Sequence, residues 1–324
     1  MVLSVLGFVV CAVAILLAGT RLTAYADVIA LRTRLGRIWA GMVLLAVATS
    51  LPELINCTSA AIRNLPDIAA GDIGGSNVLN LLILGGIDVL SRNRTCLEGL
   101  HRFHLRSIGV IVAMSGVAAA GILLGSGMPA LGWISPVSLV LLGLYVLSLS
   151  KADTGGDTAT LAPTIPTISV RSAVTRYALL AAVVVAAAVV LPSFAARIAE
   201  ETGLGATFVG TILVAVATSL PELVTAGAAV RMGAPELAAG GILGSNLFNL
   251  TIFGIVDVIY WRGSIFTAAN RAGAIPLFAG LLLAGLFALV LRRCPRRRFL
   301  RITWFGWTAL AVYLLTAGAL FYLR

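Results

Sequence analysis

Residues 41–55 read GMVLLAVATSLPELI, and residues 210–224 read GTILVAVATSLPELV. A second block follows each: GDIGGSNVLNL at 71–81 and GGILGSNLFNL at 240–250. Thr49 and Thr218, Glu53 and Glu222, Asn80 and Asn249, and Asp88 and Asp257 all stand 169 residues apart. Apolar helices share Leu, Val and Ala by composition alone. They do not reproduce A-T-S-L-P-E and G-S-N-x-x-N at one fixed offset, so the chain carries an internal duplication.

The setting of that duplication is a membrane. Of 324 residues, 60% are hydrophobic and 11% are charged, with a mean hydropathy of +1.04. A soluble domain carries about 25% charged residues, and this chain lacks the polar residues to cover a water-facing surface. That excludes a soluble enzyme, a disordered tail and a nucleic-acid-binding module. A spanning helix needs about 20 mostly apolar residues. Ten stretches qualify, at 2–20, 38–62, 66–90, 107–125, 130–149, 173–192, 205–230, 235–260, 272–291 and 302–322. The expected fold is an all-α integral membrane protein of ten transmembrane helices. Five helices per copy is an odd number, so the second copy enters the membrane inverted. The two inverted five-helix repeats occupy 1–150 and 173–324, joined by a cytoplasmic Thr-, Pro- and Gly-rich linker at 151–172. Inverted repeats place a binding site near the midplane at their interface, often on broken helices.

The net charge of +10 sits in short arginine tracts between apolar runs, the pattern of cytoplasmic loops rather than of a nucleic-acid surface. With the N-terminus outside, 18 of the 23 basic residues fall inside, leaving Arg63, Arg197, Arg262, Arg271 and Arg324 outside. Both termini are therefore expected outside a multi-pass protein of the cell (inner) membrane. The opening MVLSVLGFVV has no basic n-region, which favours a retained first helix. Cys11, Cys57, Cys96 and Cys294 are scattered, with neither a disulfide nor a zinc pattern. His101 and His104 read as solvated members of a basic loop, and RRCPRRR at 292–298 as an anchor at the lipid surface.

Glu53 and Glu222 fall near the middle of their spans, where a carboxylate costs at least about 2.5–3.5 kcal/mol unless it faces water, a partner or an ion. Coming from oppositely directed helices, the two can converge, and a proton or a cation must then compensate their charge. Pro52 and Pro221 precede them and cannot donate to the carbonyls of Ala48 and Ala217. The backbone of Ala46, Thr49, Ala215 and Thr218 can also turn inward there. Carboxylates, hydroxyls and loosened carbonyls are hard oxygen ligands, suited to calcium and sodium rather than zinc or copper. Ser76 with Asn80, and Ser245 with Asn249, add oxygens at i, i+4 on one face. The plainer readings are a simple kink at the prolines and interhelical hydrogen bonding by the serines. Asp88 and Asp257 read as interfacial caps. Asp72 has no acidic partner in the other copy, where Gly241 occupies its position, and reads as a boundary residue rather than an entrance charge.

The two blocks resemble the α-1 and α-2 repeats of the sodium/calcium exchanger family, within the cation/calcium exchanger superfamily. The resemblance implies alternating-access antiport of sodium against calcium, with both ions bound as substrates and no cofactor. Carried over, the ligands are Glu53 and Glu222 as central carboxylates, with Thr49, Ser50, Thr218 and Ser219 giving hydroxyls or carbonyls. Ala46 and Ala215 give backbone oxygens, and Ser76, Ser245, Asn80 and Asn249 complete the set. Some members of the family carry aspartate where this chain has Asn249. An amide cannot ionise, so two acidic groups at most are expected in the site, and calcium/proton exchange is the nearest alternative. A cation channel would lack coupling. An intramembrane enzyme would need a histidine base or HExxH at depth, and both histidines sit together in a loop.

Overall fold

In a computed structural model, residues 1–32, 49–87, 104–125, 131–150, 168–231, 235–293, 298–299 and 302–323 are described, and they are almost entirely helical. The elements are α1 (Val2–Arg32), α2 (Leu51–Ile62), α3 (Pro66–Gly86), α4 (His104–Leu124), α5 (Pro136–Ser150) and α6 (Val170–Thr202). There follow α7 (Ala206–Thr218), α8 (Leu220–Arg231), α9 (Pro235–Ile259), the single turn α10 (Ile265–Ala268), α11 (Ala274–Arg293) and α12 (Trp304–Tyr322). A two-residue ladder, Arg298–Phe299 against Ile302–Thr303, precedes α12.

Among the described residues seven helices are long and apolar enough to cross a membrane, and α7 with α8, bent by 46° at Ser219, makes an eighth. The shorter apolar α5 and the half-span α2, before which residues 33–48 lie outside the described ones, fill the two remaining places of the ten-helix plan. The chain is an all-α integral membrane protein. Two helices outrun their apolar stretches. The sequence from Leu22 to Arg32 holds no Gly or Pro, so α1 continues past its polar Arg21. In the same way α6 runs through Pro192 to Thr202, where Gly203 adopts φ 68° and ends it.

Burial sorts the helices into a core and a shell. The spanning windows of α3 and α9, the two helices of the G-S-N-x-x-N blocks, are 89% and 78% buried, whereas that of α12 is 28% buried. Shell helices turn Leu3, Leu147, Leu179 and Leu315 outward, as lipid contact requires. Counterpart helices pack on each other across the repeats: α1 along α6, α3 on α9 and α4 on α11. Gly71 and Gly75 let α3 lie against the first part of α7. A Cβ at Gly71 would stand 2.7 Å from the Thr207 carbonyl, and one at Gly75 would strike Thr211.

Asp257 is fully buried at the end of α9 and accepts from Ser135 N (2.8 Å), Ser138 Oγ (2.5 Å), Ser264 Oγ (2.7 Å) and Ile265 N (2.8 Å). It thus caps the starts of both α5 and α10, while Asp88 lies outside the described residues. At the turn between α2 and α3 the repeats are tied by Tyr260 donating to Asn64 and by the Asn270 amide donating to Asp67. One expectation fails here. His104 is not in a solvated loop: it opens α4 and is buried near Gly240 of α9, because the helix begins within the basic segment. His101 and most of the RRCPRRR run lie outside the described residues.

Candidate cation site

The site forms where both TSLPE segments break. On the second repeat, a π-turn at Gly210–Val214 within α7 is followed by the bend at Ser219, and α8 restarts with Pro221 among its first residues. Extra-residue helical turns of this kind recur at functional sites. On the first repeat, Ser50 precedes α2, which likewise begins with Leu51 and Pro52. Each break points a glutamate inward. Glu53 is fully buried and Glu222 is 2% exposed.

The two breaks interlock. Ser219 donates to Glu53 Oε1 at 2.9 Å, and its counterpart Ser50 donates to Glu222 Oε1 at 3.3 Å, so each repeat's serine serves the other repeat's glutamate. Ser245 of α9 also donates to Glu222 Oε1 (3.4 Å) and meets the Thr49 hydroxyl at 3.3 Å. The Ser219 oxygen also lies 3.0 Å from Ser76 Oγ of α3. Asn80 donates to Asn246 Oδ1 at 2.9 Å, and Asn246 in turn donates to the Asn77 carbonyl at 3.3 Å.

Several buried polar atoms of this cluster have no hydrogen-bond partner among the described residues: Glu53 Oε2, Glu222 Oε2, Asn80 Oδ1, and both amide atoms of Asn77 and Asn249. Leaving such a group unsatisfied costs about 1–3 kcal/mol, more when it is charged. The arrangement is a buried cluster of oxygens with lone pairs to spare, and it fits a hard cation. Among the described residues no three His, Cys, Asp or Glu side chains are placed to hold one ion by themselves. Hydroxyl and amide oxygens must share in any ion site here.

Residues 3–150 and 172–322 match the family profile described as sodium/calcium exchanger protein. The chain belongs to that family. It is 27% identical over 264 residues to the inner membrane protein YrbG of Escherichia coli (strain K12), which covers 79% of each chain. Its fold matches that of the sodium-calcium exchanger NCX_Mj with a TM-score of 0.65 at 22% identity, over 98% of this chain and 99% of that one. It matches the H+/Ca2+ exchanger CAX with a TM-score of 0.74 at 14% identity, over 99% of this chain and 86% of that one.

Eleven of the twelve expected site residues of this exchanger lie among the described residues. Glu53, Glu222, Thr49, Ser50, Thr218, Ser219, Ser76 and Ser245 are joined in the hydrogen-bonded cluster. Asn80 and Asn249 are fully buried on the two central helices. The Ala215 carbonyl takes the Ser219 backbone N–H at 3.0 Å, closing the last turn before the bend, and keeps one lone pair. Ala46 lies outside the described residues.

Two expectations are overturned at one residue. Asp72 is not at a boundary: it is fully buried within α3 and accepts from Thr218 of the other repeat. The cluster therefore holds a third carboxylate. The reading missed it because Gly241 gives it no repeated partner, although its i, i+4 spacing to Ser76 already put it on the site's face. Asn56 and Cys57, which also donate to Asp72, carried no repeated signal either. Asn77 and Asn246 did repeat, and were passed over for the i, i+4 pairs beside them.

Proposed function

We propose that this chain exchanges sodium for calcium by alternating access, binding both ions at the interface of the two TSLPE breaks. The reciprocal pair, Ser219 on Glu53 and Ser50 on Glu222, carries this reading. It joins one carboxylate from each repeat through the other repeat's hydroxyl and leaves one oxygen of each glutamate unpartnered. Glu53 and Glu222 would bind calcium directly, with hydroxyl oxygens of Thr49, Ser50, Thr218, Ser219, Ser76 and Ser245 around them. The amides of Asn80 and Asn249, and the backbone of Ala46 and Ala215, would complete six to eight oxygens.

Sodium is favoured over protons as the counter-ion because most of these ligands are neutral hydroxyls and amides, which can hold a metal cation but cannot take up a proton. The halves 1–150 and 173–324, joined by a cytoplasmic linker and with both termini outside, would rock about the site. The ions are cargo, and the cycle needs no cofactor.

Calcium flux into reconstituted vesicles tests this. Uptake driven by an outward sodium gradient is expected. Uptake that follows a proton gradient and ignores sodium would replace sodium with protons as the counter-ion, and calcium movement with neither gradient coupled would make the chain a channel.

A further inference from the structure

The two halves of the site are not equivalent, and the difference lies at Asp72. Around Glu222, Ser245 donates to the carboxylate, and Thr49 of the first repeat bonds to Ser245. In the mirrored half, the counterparts Ser76 and Thr218 both donate to Asp72 Oδ1, at 3.3 and 3.0 Å. The other carboxylate oxygen accepts from Asn56 Nδ2 (2.6 Å) and Cys57 Sγ (3.3 Å). Gly241 occupies the position related to Asp72, so no carboxylate can play this part on the other side.

The consequence follows from counting protons. A hydroxyl has one proton and two lone pairs. The Thr218 oxygen has three acceptors in reach: Asp72 Oδ1 at 3.0 Å, the Val214 carbonyl at 3.1 Å and the Ala215 carbonyl at 3.4 Å. The charged acceptor is also the nearest, and charge-assisted bonds are about twice as strong as neutral ones. The proton therefore points at Asp72 and the lone pairs turn away from it. Ser76 has two acceptors in reach, Asp72 Oδ1 at 3.3 Å and the Ser219 oxygen at 3.0 Å, whose own proton goes to Glu53, and the charged acceptor again takes the proton.

Resting on the proposed exchange, we infer that Asp72 is a positioning residue of the cation site. It draws off the protons of Thr218 and Ser76, turns both oxygens toward the ion as acceptors, and spares Glu53 from serving those hydroxyls.

The test is a set of affinities in reconstituted vesicles, comparing wild type with Asp72→Asn, Thr218→Val, Thr49→Val and the doubles of Asp72→Asn with each threonine variant. Outer residues that orient metal ligands are typically worth 10–100-fold in affinity. Asp72→Asn should raise half-saturating calcium at least about tenfold while the maximal rate changes less. Thr218→Val should add less than about twofold on top of Asp72→Asn, since the two act through one contact, whereas Thr49→Val should multiply with it. A packing role alone would give multiplying effects at both threonines. Wild-type affinity in Asp72→Asn, or multiplication with Thr218→Val, overturns the inference. If Asp72→Asn fails to fold, Asp72→Ser is scored by the same criteria. Wild-type vesicles without any calcium uptake would overturn the exchange reading and this inference together; a wild-type protein that exchanges beside an unaffected Asp72→Asn would sink this inference alone.

Discussion

Ser50 and Ser219 carry the same backbone conformation 169 residues apart, φ −92° with ψ 11° and φ −89° with ψ 8°. Each is followed by Leu-Pro-Glu, and each carbonyl accepts the amide four residues on, from Leu54 at 3.1 Å and Leu223 at 3.2 Å. The break is a designed feature of the repeat, made by the proline that comes two residues later. Pro221→Ala would return an N–H able to reach the Ala217 carbonyl and straighten the bend. Interior proline costs about 3 kcal/mol in a regular helix, so the variant's melting temperature should hold or rise. Transport should fall, because a ligand displaced by about 1 Å can cost on the order of a hundredfold. Full transport by a folded Pro221→Ala protein would show that the bend does not shape the site.

Glu53→Gln and Glu222→Gln keep the volume and an acceptor oxygen for the partner serine while removing a charge. Removing one member of a buried charged set costs about 3–5 kcal/mol, or more than a hundredfold. Each variant should abolish calcium uptake into sodium-loaded vesicles. Undiminished uptake in both would remove the paired carboxylates from the mechanism.

The ten-helix plan and the paired breaks were legible because they repeat. A fixed offset makes Glu53, Pro52 and Ser50 stand out against apolar sequence that otherwise resembles any membrane helix. Asp72 escaped for the same reason: its importance is that it does not repeat, and a rule that rewards symmetry discounts it. The lengths of α1 and α6 escaped because hydropathy reports where lipid ends, whereas a helix ends where a Gly, a Pro or a cap stops it. His104 shows the limit of reading a basic loop as solvated, since tertiary packing against α9 decides its burial.

Asn249 lies on the central helix α9, fully buried, with neither amide atom partnered among the described residues. Asn249→Asp would add a charge on a face that already holds Ser245. A unit charge about 5 Å from a divalent cation contributes ~7 kcal/mol at an effective dielectric near 20, and desolvating the new carboxylate offsets most of it. Half-saturating calcium should fall by about tenfold, with the sodium dependence of exchange shifted as well. Unchanged calcium and sodium dependence would place Asn249 away from the ions.

Asp257 has the opposite character: every bond it accepts holds structure. Its two oxygens take two backbone amides and two serine hydroxyls from the starts of α5 and α10, so one carboxylate closes two helix ends. Loss of a single such cap costs about 0.5–2 kcal/mol, and Asp257 serves two in a fully buried place. Asp257→Ala should lower the melting temperature markedly, and Ser138→Ala, which removes one of the four donors, should lower it less. Because none of these partners touches the glutamate cluster, half-saturating calcium in the folded fraction should match wild type. A Ser138→Ala protein with normal melting but weakened calcium affinity would move this carboxylate from the scaffold into the transport machinery.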